Sequence, residues 1–469
     1  MENKLFYKKN FIWEKLSSDE RTEVFALGDD YRKFIDASKT ERLSIKEIIK
    51  RAEAKGFVNF ENVKEVRQGD KLYYVNKEKS AVLVVIGKEK IENGMNIVGS
   101  HVDAPRIDIK QNPLYEEHGI SLLKTHYYGG IRKYQWVAIP LAMYGTVVKA
   151  NGETIDIAIG DDENDPVFYI TDLLPHLAKD QDQKKLSEAI EGESLNVIIG
   201  SLPADDAEKD EDGKSKKFKY NVLKILNEKY GMIEEDFLTA ELEIVPAGKS
   251  RDVGIDRGMI AAYGHDDRVC AYTSLKAILE TENVDKTAVA LFADKEEVGS
   301  NGSTGMHSTF FNNMVAEMIK LQNNGEYCEI SLKKALANSS MLSSDVAAGV
   351  DPTYPQVTEL QNAPIMGQGI AMVKYTGSRG KSGANDANAE YIGKIRKIFN
   401  ENNVAWQPAE LGKVDQGGGG TIAYILANYN MDVVDMGVPV LSMHAPYEII
   451  SKTDLYMTYK AYKTFYDKF

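Results

Sequence analysis

The sequence predicts an α/β fold, a mixed sheet flanked by helices, with a β-rich domain inserted into it. Three observations carry that reading. Short continuous apolar runs rich in β-branched residues, Ala81–Ile86 (AVLVVI) and Asn96–Gly99 (NIVG), read as buried strands. Stretches of helical period accompany them, as in 41–55, where Leu43, Ile45, Ile48, Ile49 and Ala52 recur near every 3.6 residues. The texture then changes between about 105 and 248 and returns to α/β after 250.

In order, the second α/β stretch predicts a helix over 268–281, a strand over 288–293, a helix near 310–322 and a strand near 340–343. Helices near 385–400 and 421–428 and a strand near 438–442 complete it. The intervening segment has alternating stretches at Thr146–Lys149 and Thr154–Ile159, aromatic residues clustered over Tyr127–Trp136, and a charged stretch, Asp205–Lys217, that reads as a solvated loop. One domain split in sequence, 1–104 plus 249–469, thus carries an insertion over 105–248. No fixed-period repeat interrupts this plan.

With 469 residues and 43% apolar side chains, the chain can bury sizeable cores in two domains. Its 71 acidic residues against 57 basic ones give a charge of −14, which argues against nucleic-acid binding, since phosphate contacts need a basic surface. An anionic substrate stays open, because a local basic pocket can sit in an acidic protein. No apolar run is long enough to span a membrane, and the start, MENKLFYKK, lacks the apolar core of a signal peptide. The two cysteines, Cys270 and Cys328, have no CxxC spacing; a disulfide scaffold is excluded and a reducing cytoplasm is expected.

The chemistry is suggested by where acids and histidines fall relative to the predicted strands. His101 follows Asn96–Ser100, Glu296 and Glu297 follow Ala288–Ala293, Asp345 follows Ser339–Ser344, and His444 follows Val438–Met443. In open α/β sheets ligands bind beyond the carboxyl ends of the strands. If these four strands are parallel neighbours, each delivers a metal-capable group to one edge. Asp266 sits just before the 268–281 helix, where the dipole favours a carboxylate. Taken singly, a histidine at a strand end is more often structural, and Asp266-Asp267 could be a helix cap. Five at matching positions suit divalent ions of zinc type, which take nitrogen and oxygen ligands. Two ions about 3.5–4 Å apart, bridged by a carboxylate, would activate a water and clamp a carbonyl oxygen. Of the adjacent pair Glu296 and Glu297, one can serve as base and the other as ligand. Asp103, two residues after His101, can fix the imidazole tautomer.

These segments carry a family resemblance. GSHVDAPRIDIK (99–110), GHDDRVCAY (264–272), DKEEVGSNGSTG (294–305), SSDVAAGVDP (343–352) and MHAPYEIISKTD (443–454) resemble, in order, the aspartyl aminopeptidase family of dinuclear zinc peptidases. The resemblance implies a zinc aminopeptidase-like catalytic domain that removes the N-terminal residue of peptides. It implies two divalent ions per chain, Zn2+ first and Mn2+ or Co2+ as alternatives. One ion would be held by His101, Asp266 and Asp345 and the other by Asp266, Glu297 and His444. Glu296 takes the role of general base and Asp103 that of orienting acid. The insertion would be a dimerisation domain, and family members assemble as tetrahedral dodecamers. Ala445-Pro446-Tyr447 departs from the Ser-x-Arg of eukaryotic members, which bears on substrate preference and not on the metals.

Weaker candidates remain. Lys374, in VKYTGSRGKSG, matches a family lysine near the substrate, and its ammonium could hold an acidic side chain; a solvated lysine after a strand reads equally well. His176, in LLPHLAKD, lies where the family has a histidine that reaches a neighbouring subunit's active site; a structural role competes. Gly417–Gly420 could present backbone N–H groups, yet no Lys-Ser or Lys-Thr follows it as a phosphate loop requires. Cys270 reads as a buried small hydrophobe. Two other classes compete with an aminopeptidase. A glycosidase pair Glu296/Glu297 would need carboxyls roughly 5–9.5 Å apart across a sugar, and it leaves both histidines unused. A self-assembling shell or cargo protein would predict damaged ligand positions, and none is damaged.

Overall fold

Ser80–Val85, Met95–His101 and Thr287–Ala293 are buried along their whole lengths, which is why they read as continuous apolar runs and not as alternation. In the computed structural model, which describes residues 5–7, 9–205 and 216–469, they form the centre of a nine-stranded mixed sheet. Met95–His101 lies between Thr287–Ala293 and Ser340–Ser343 and is parallel to both, and Asp432–Gly437 extends the parallel set. Past Asp432–Gly437 the direction reverses: Ile370–Val373 is antiparallel to it, and Trp406–Ala409 pairs in parallel with Ile370–Val373. On the other side Ser80–Val85 runs antiparallel to Thr287–Ala293.

Alternate residues of these strands feed two cores, as the pleat requires. Ala81, Leu83, Val85, Ala288, Ala290 and Phe292 pack with helices Ser18–Ala37, His265–Leu279, Ala389–Glu401 and Lys452–Lys468. Val82, Val84, Val289 and Leu291 pack with Phe310–Gln322, Glu329–Ala337 and Ala423–Ala427. Ser17 and Glu20 form a reciprocal capping box that starts Ser18–Ala37. Cys270 is buried in the first core.

The sequence placed a strand near 438–442 beside the others, and the structure corrects this. Pro439–Leu441 belongs to a separate five-stranded sheet with Ala347–Ala348, Glu448–Ser451, Met259–Ala262 and Arg251–Val253. The chain leaves the large sheet at Gly437, where a Cβ would lie 1.9 Å from the carbonyl oxygen of Asp345. Regular helical dihedrals in His265–Leu279 begin only at Arg268, because Asp266 and Asp267 stand outside them.

The chain divides into two compact units: Met1–Ala104 with Ser250–Met443 and Glu448–Phe469, and Pro105–Lys249 with His444–Tyr447. The second is built on a six-stranded antiparallel sheet, in the order Thr154–Ile159, Leu141–Val148, Ala240–Pro246, Arg106–Glu117, Ile120–Tyr128, Val197–Gly200. It also holds helix Lys217–Tyr230, which buries Val222 and Leu226. Residues 206–215 of the charged stretch lie outside the described residues. No helix among the described residues is long and apolar enough to cross a membrane.

Candidate metal centre

Three parallel strands set the site. His101 pairs with Ala293 and Gly99 with Ser343, so Asp345, two residues past Ser343, is level with His101. Around the buried His101, Nε2 lies 3.2 Å from Asp266 Oδ1, 3.9 Å from Glu296 Oε2 and 4.0 Å from Asp345 Oδ1. One ligand atom each from His101, Asp267 and Asp345, and likewise from His101, Glu296 and Glu297, fall within 4.8 Å of one another.

Asp103 organises this edge. Its main-chain carbonyl lies 3.0 Å, and its Oδ1 3.2 Å, from His101 Nδ1. Both are acceptors, so Nδ1 carries the proton and Nε2 is the ring nitrogen left for ligation. The same carboxylate accepts from the amides of Glu296 (3.1 Å) and Glu297 (3.2 Å), one on each oxygen. Those amides open a 3-10 turn, Glu296–Val298, entered through the left-handed Lys295 (φ 66°). Capture of both amides by Asp103 turns the chain here instead of letting the strand run on.

The opposite wall is the entry to helix His265–Leu279. The chain reverses at Gly264 (φ 75°), and the Asp266–Asp267 peptide is cis. His265 Nε2–H donates to the Ile260 carbonyl (3.1 Å), so Nδ1 accepts from the Tyr31 hydroxyl at 2.6 Å. Burial pushes this imidazole down to about 3, which keeps it neutral and structural. The Asp266 amide donates to Glu448 Oε2 (2.9 Å), and the His101 amide to Asp267 Oδ2 (3.2 Å). Asp267 and Glu448 were not singled out from sequence. The only signals for them were adjacency to Asp266 and a position four residues after His444.

The electrostatics are those of a cation site. Burial alone would drive the His101 imidazole down, but the adjacent carboxylates of Asp103 and Asp266 and the charge of Glu296 hold it well above its ordinary value. Burial, with the charge of Asp267, lifts the Asp345 carboxyl well above the usual range against the opposing pull of His101. Burial likewise lifts Asp267. His101 Nε2 is buried without a hydrogen bond to any described residue while carboxylate oxygens surround it. A divalent ion suits such a set of one imidazole nitrogen and several carboxylate oxygens.

The remaining candidates sit on other segments of the chain. His444 has left-handed backbone (φ 65°) and groups with the inserted unit; its Nδ1 donates to the Gly130 carbonyl (3.1 Å), which leaves Nε2 as the ligating nitrogen. Lys374 follows the antiparallel strand Ile370–Val373, and its Nζ lies 4.8 Å from the Tyr375 ring centre. His176 is in the exposed 3-10 turn Pro175–Leu177 of the insertion. Gly417–Gly420 packs backbone to backbone: Gly377 N–H donates to the Gly419 carbonyl (2.8 Å), and a Cβ on Gly418 would lie 2.3 Å from the Gly377 oxygen.

Residues 34–466 match the family described as aminopeptidase I zinc metalloprotease (M18). A protein of Clostridium acetobutylicum named probable M18 family aminopeptidase 1 is 53% identical over 469 residues, 99% of each chain. A crystal structure of an M18-family aminopeptidase from Thermotoga maritima superposes with a TM-score of 0.94 at 45% identity, covering 99% of this chain and 100% of that one. That of aminopeptidase I from C. acetobutylicum gives 0.91 at 49%, over 99% and 100%.

Proposed function

The chain belongs to the aminopeptidase I zinc metalloprotease family (M18) and is a metal-dependent aminopeptidase, and from that premise we propose the roles of its residues and the reach of its activity. His101, Asp266 and Asp345 hold one divalent ion. Asp266 also serves a second ion with Glu297 and His444, an assignment that rests for His444 on the sequence resemblance and on the ring nitrogen its Gly130 bond leaves for ligation. Zinc is the expected metal, with Mn2+ or Co2+ able to replace it. The observation that carries this reading is the buried His101 Nε2, without a hydrogen bond and faced by three carboxylates within 4.0 Å.

Bound there, the ions would lower the pKa of water and polarise the scissile carbonyl. Everything else falls to side chains. Glu296 is the carboxylate that takes the proton from water and returns it to the departing amine. It is partly open to solvent, and the Asp103 clamp on its amide fixes where its oxygens can reach. Asp103 also holds His101 in the Nδ1–H tautomer, so proton transfer and metal holding share one buried carboxylate.

The substrates are peptides with a free N-terminus, with Asp or Glu favoured through the ammonium of Lys374; broad or neutral-residue specificity is the alternative. The protein works as a homo-oligomer, a tetrahedral dodecamer by the family resemblance, with His176 carried towards a neighbouring subunit. The insertion supports this: Leu173, Leu174 and Leu177, flanking His176, are 52%, 50% and 68% exposed, more apolar surface than a solvated loop tip needs. Two unpaired cysteines fit a cytoplasmic home.

The test is a panel of aminoacyl chromogenic substrates assayed on stripped protein with defined metals, alongside elemental analysis and light scattering. Two ions per chain, activity restored by metal, and a particle of twelve chains are expected. Full activity with no stoichiometric transition metal would overturn the metal assignment. A fully active monomer at micromolar concentration would overturn the assembly.

A further inference from the structure

Glu448 is a buried carboxylate that the reaction does not use. It is 1% exposed, and a carboxylate this deep is retained only where its oxygens have donors. It is the first residue of Glu448–Ser451, and it pairs with Ala262 at the end of Met259–Ala262. From Ala262 the chain runs into Tyr263, reverses at Gly264 and returns so that the Asp266 amide meets Glu448 Oε2 at 2.9 Å. With φ −76° and ψ 108°, Asp266 stands outside the helix that follows, and an amide at a helix entry has no helical acceptor of its own. Its neighbours are held separately, His265 by Tyr31 and Ile260, and Asp267 by the His101 amide. The bond to Glu448 acts on the main chain of Asp266 itself.

We propose that Glu448 is a positioning residue for the metal centre, holding the backbone of Asp266 so that its carboxylate is presented to the ions in one orientation. The proposal rests on the metal-site reading given above. Ligating carboxylates tolerate only tenths of an ångström of drift, and partners that orient ligands typically change metal affinity by about 10–100-fold when removed. Glu448 does this from the main-chain side, and its place four residues after His444 puts the control of one ligand in the segment that carries another.

The experiment compares wild type, Glu448→Gln, Glu448→Leu and Glu448→Asp as full-length protein. Metal affinity is read by chelator competition with Zn2+ and by the visible spectrum of the Co2+-substituted protein, and folding by circular dichroism of the stripped form. Glu448→Gln keeps an oxygen that can accept from the Asp266 amide, so it should stay near wild type in affinity and spectrum. Glu448→Leu removes the acceptor, and its affinity should fall by about 10–100-fold with a shifted Co2+ spectrum. Should that variant not fold, Glu448→Asp decides, since it keeps the charge but draws the oxygen back by a methylene; it too should lose affinity. Wild-type affinity and spectrum in a folded Leu or Asp variant would overturn the proposal, even with reduced thermal stability. Failure of wild type itself to take up metal would instead overturn the underlying site.

Discussion

The nine-stranded sheet has two kinds of end. Met95–His101, Thr287–Ala293 and Ser340–Ser343 run parallel side by side, and Glu296 and Asp345, just past two of them, come within 4.0 Å of the Nε2 of His101, which ends the third. Ile370–Val373 lies in the same sheet but runs antiparallel to its neighbour Asp432–Gly437, so Lys374 leaves it in the opposite direction. Position after a strand is equally visible in sequence for both sets; strand direction is not. Residues after strands thus converge on one site only where the strands share a direction.

The largest effect belongs to the parallel edge. Glu296→Gln should keep its metals yet lose about 10²–10⁴-fold in turnover, the scale of removing a general base. Glu297→Gln should instead weaken one metal site, because a neutral amide is a poorer ligand than a carboxylate, and added metal should partly restore activity. Metal content and turnover measured on both variants separate the roles. Loss of metal from Glu296→Gln with retention of two ions by Glu297→Gln would reverse them.

What could be read from sequence follows the same divide. His101, Asp103, Glu296, Glu297 and Asp345 were legible because each sits within a few residues of an apolar run whose direction happened to match its neighbours. The sheet holding Pro439–Leu441 was not legible, because its membership depends on contacts with Ala347–Ala348 and Glu448–Ser451 that leave no local pattern. The 3-10 turn at Glu296 was hidden for a related reason. It forms through Asp103, a residue far away in the chain, whose two oxygens collect two consecutive amides. Glu448 is the sharpest case: its contact with Asp266 is created by the register Ala262–Glu448, so only the paired strands reveal it.

The antiparallel arm has its own anchor, and pH should expose it. Asp454, buried, accepts from the amides of Gly367 (2.6 Å) and Gly369 (2.8 Å), just before Ile370–Val373. Burial raises its carboxyl to about 7, with the two amides pulling the other way. Its folded value thus lies above the unfolded one of about 3.9, so the folded state binds the proton more tightly and stability falls as pH rises from 4 towards 7. From pH 8 to pH 6 the wild type should gain about 1.4 kcal/mol relative to Asp454→Asn, which cannot titrate. Denaturant unfolding of both proteins at the two pH values checks this; parallel pH dependences would remove Asp454 as the arm's titrating anchor.

The smallest effect tests whether the antiparallel arm contributes to recognition at all. Lys374 is partly exposed and packs its ammonium near Tyr375, while Lys381 on the same hairpin lies 3.9 Å from that ring and 3.3 Å from Asp386. An ammonium in this setting is hydrated and screened, so its pairing with a substrate carboxylate is worth only about 0.2–1 kcal/mol, roughly a factor of 1.5 to 5. Lys374→Met should therefore lower kcat/KM for aspartyl and glutamyl substrates by that factor and leave leucyl substrates unchanged. The loss should shrink as salt is raised, since a screened pair is salt-sensitive where a metal ligand is not. An equal loss on acidic and neutral substrates would take Lys374 out of recognition. A selective loss well above tenfold would mean that the hairpin folds over a bound substrate and buries the pair, bringing the antiparallel arm to the same edge as His101.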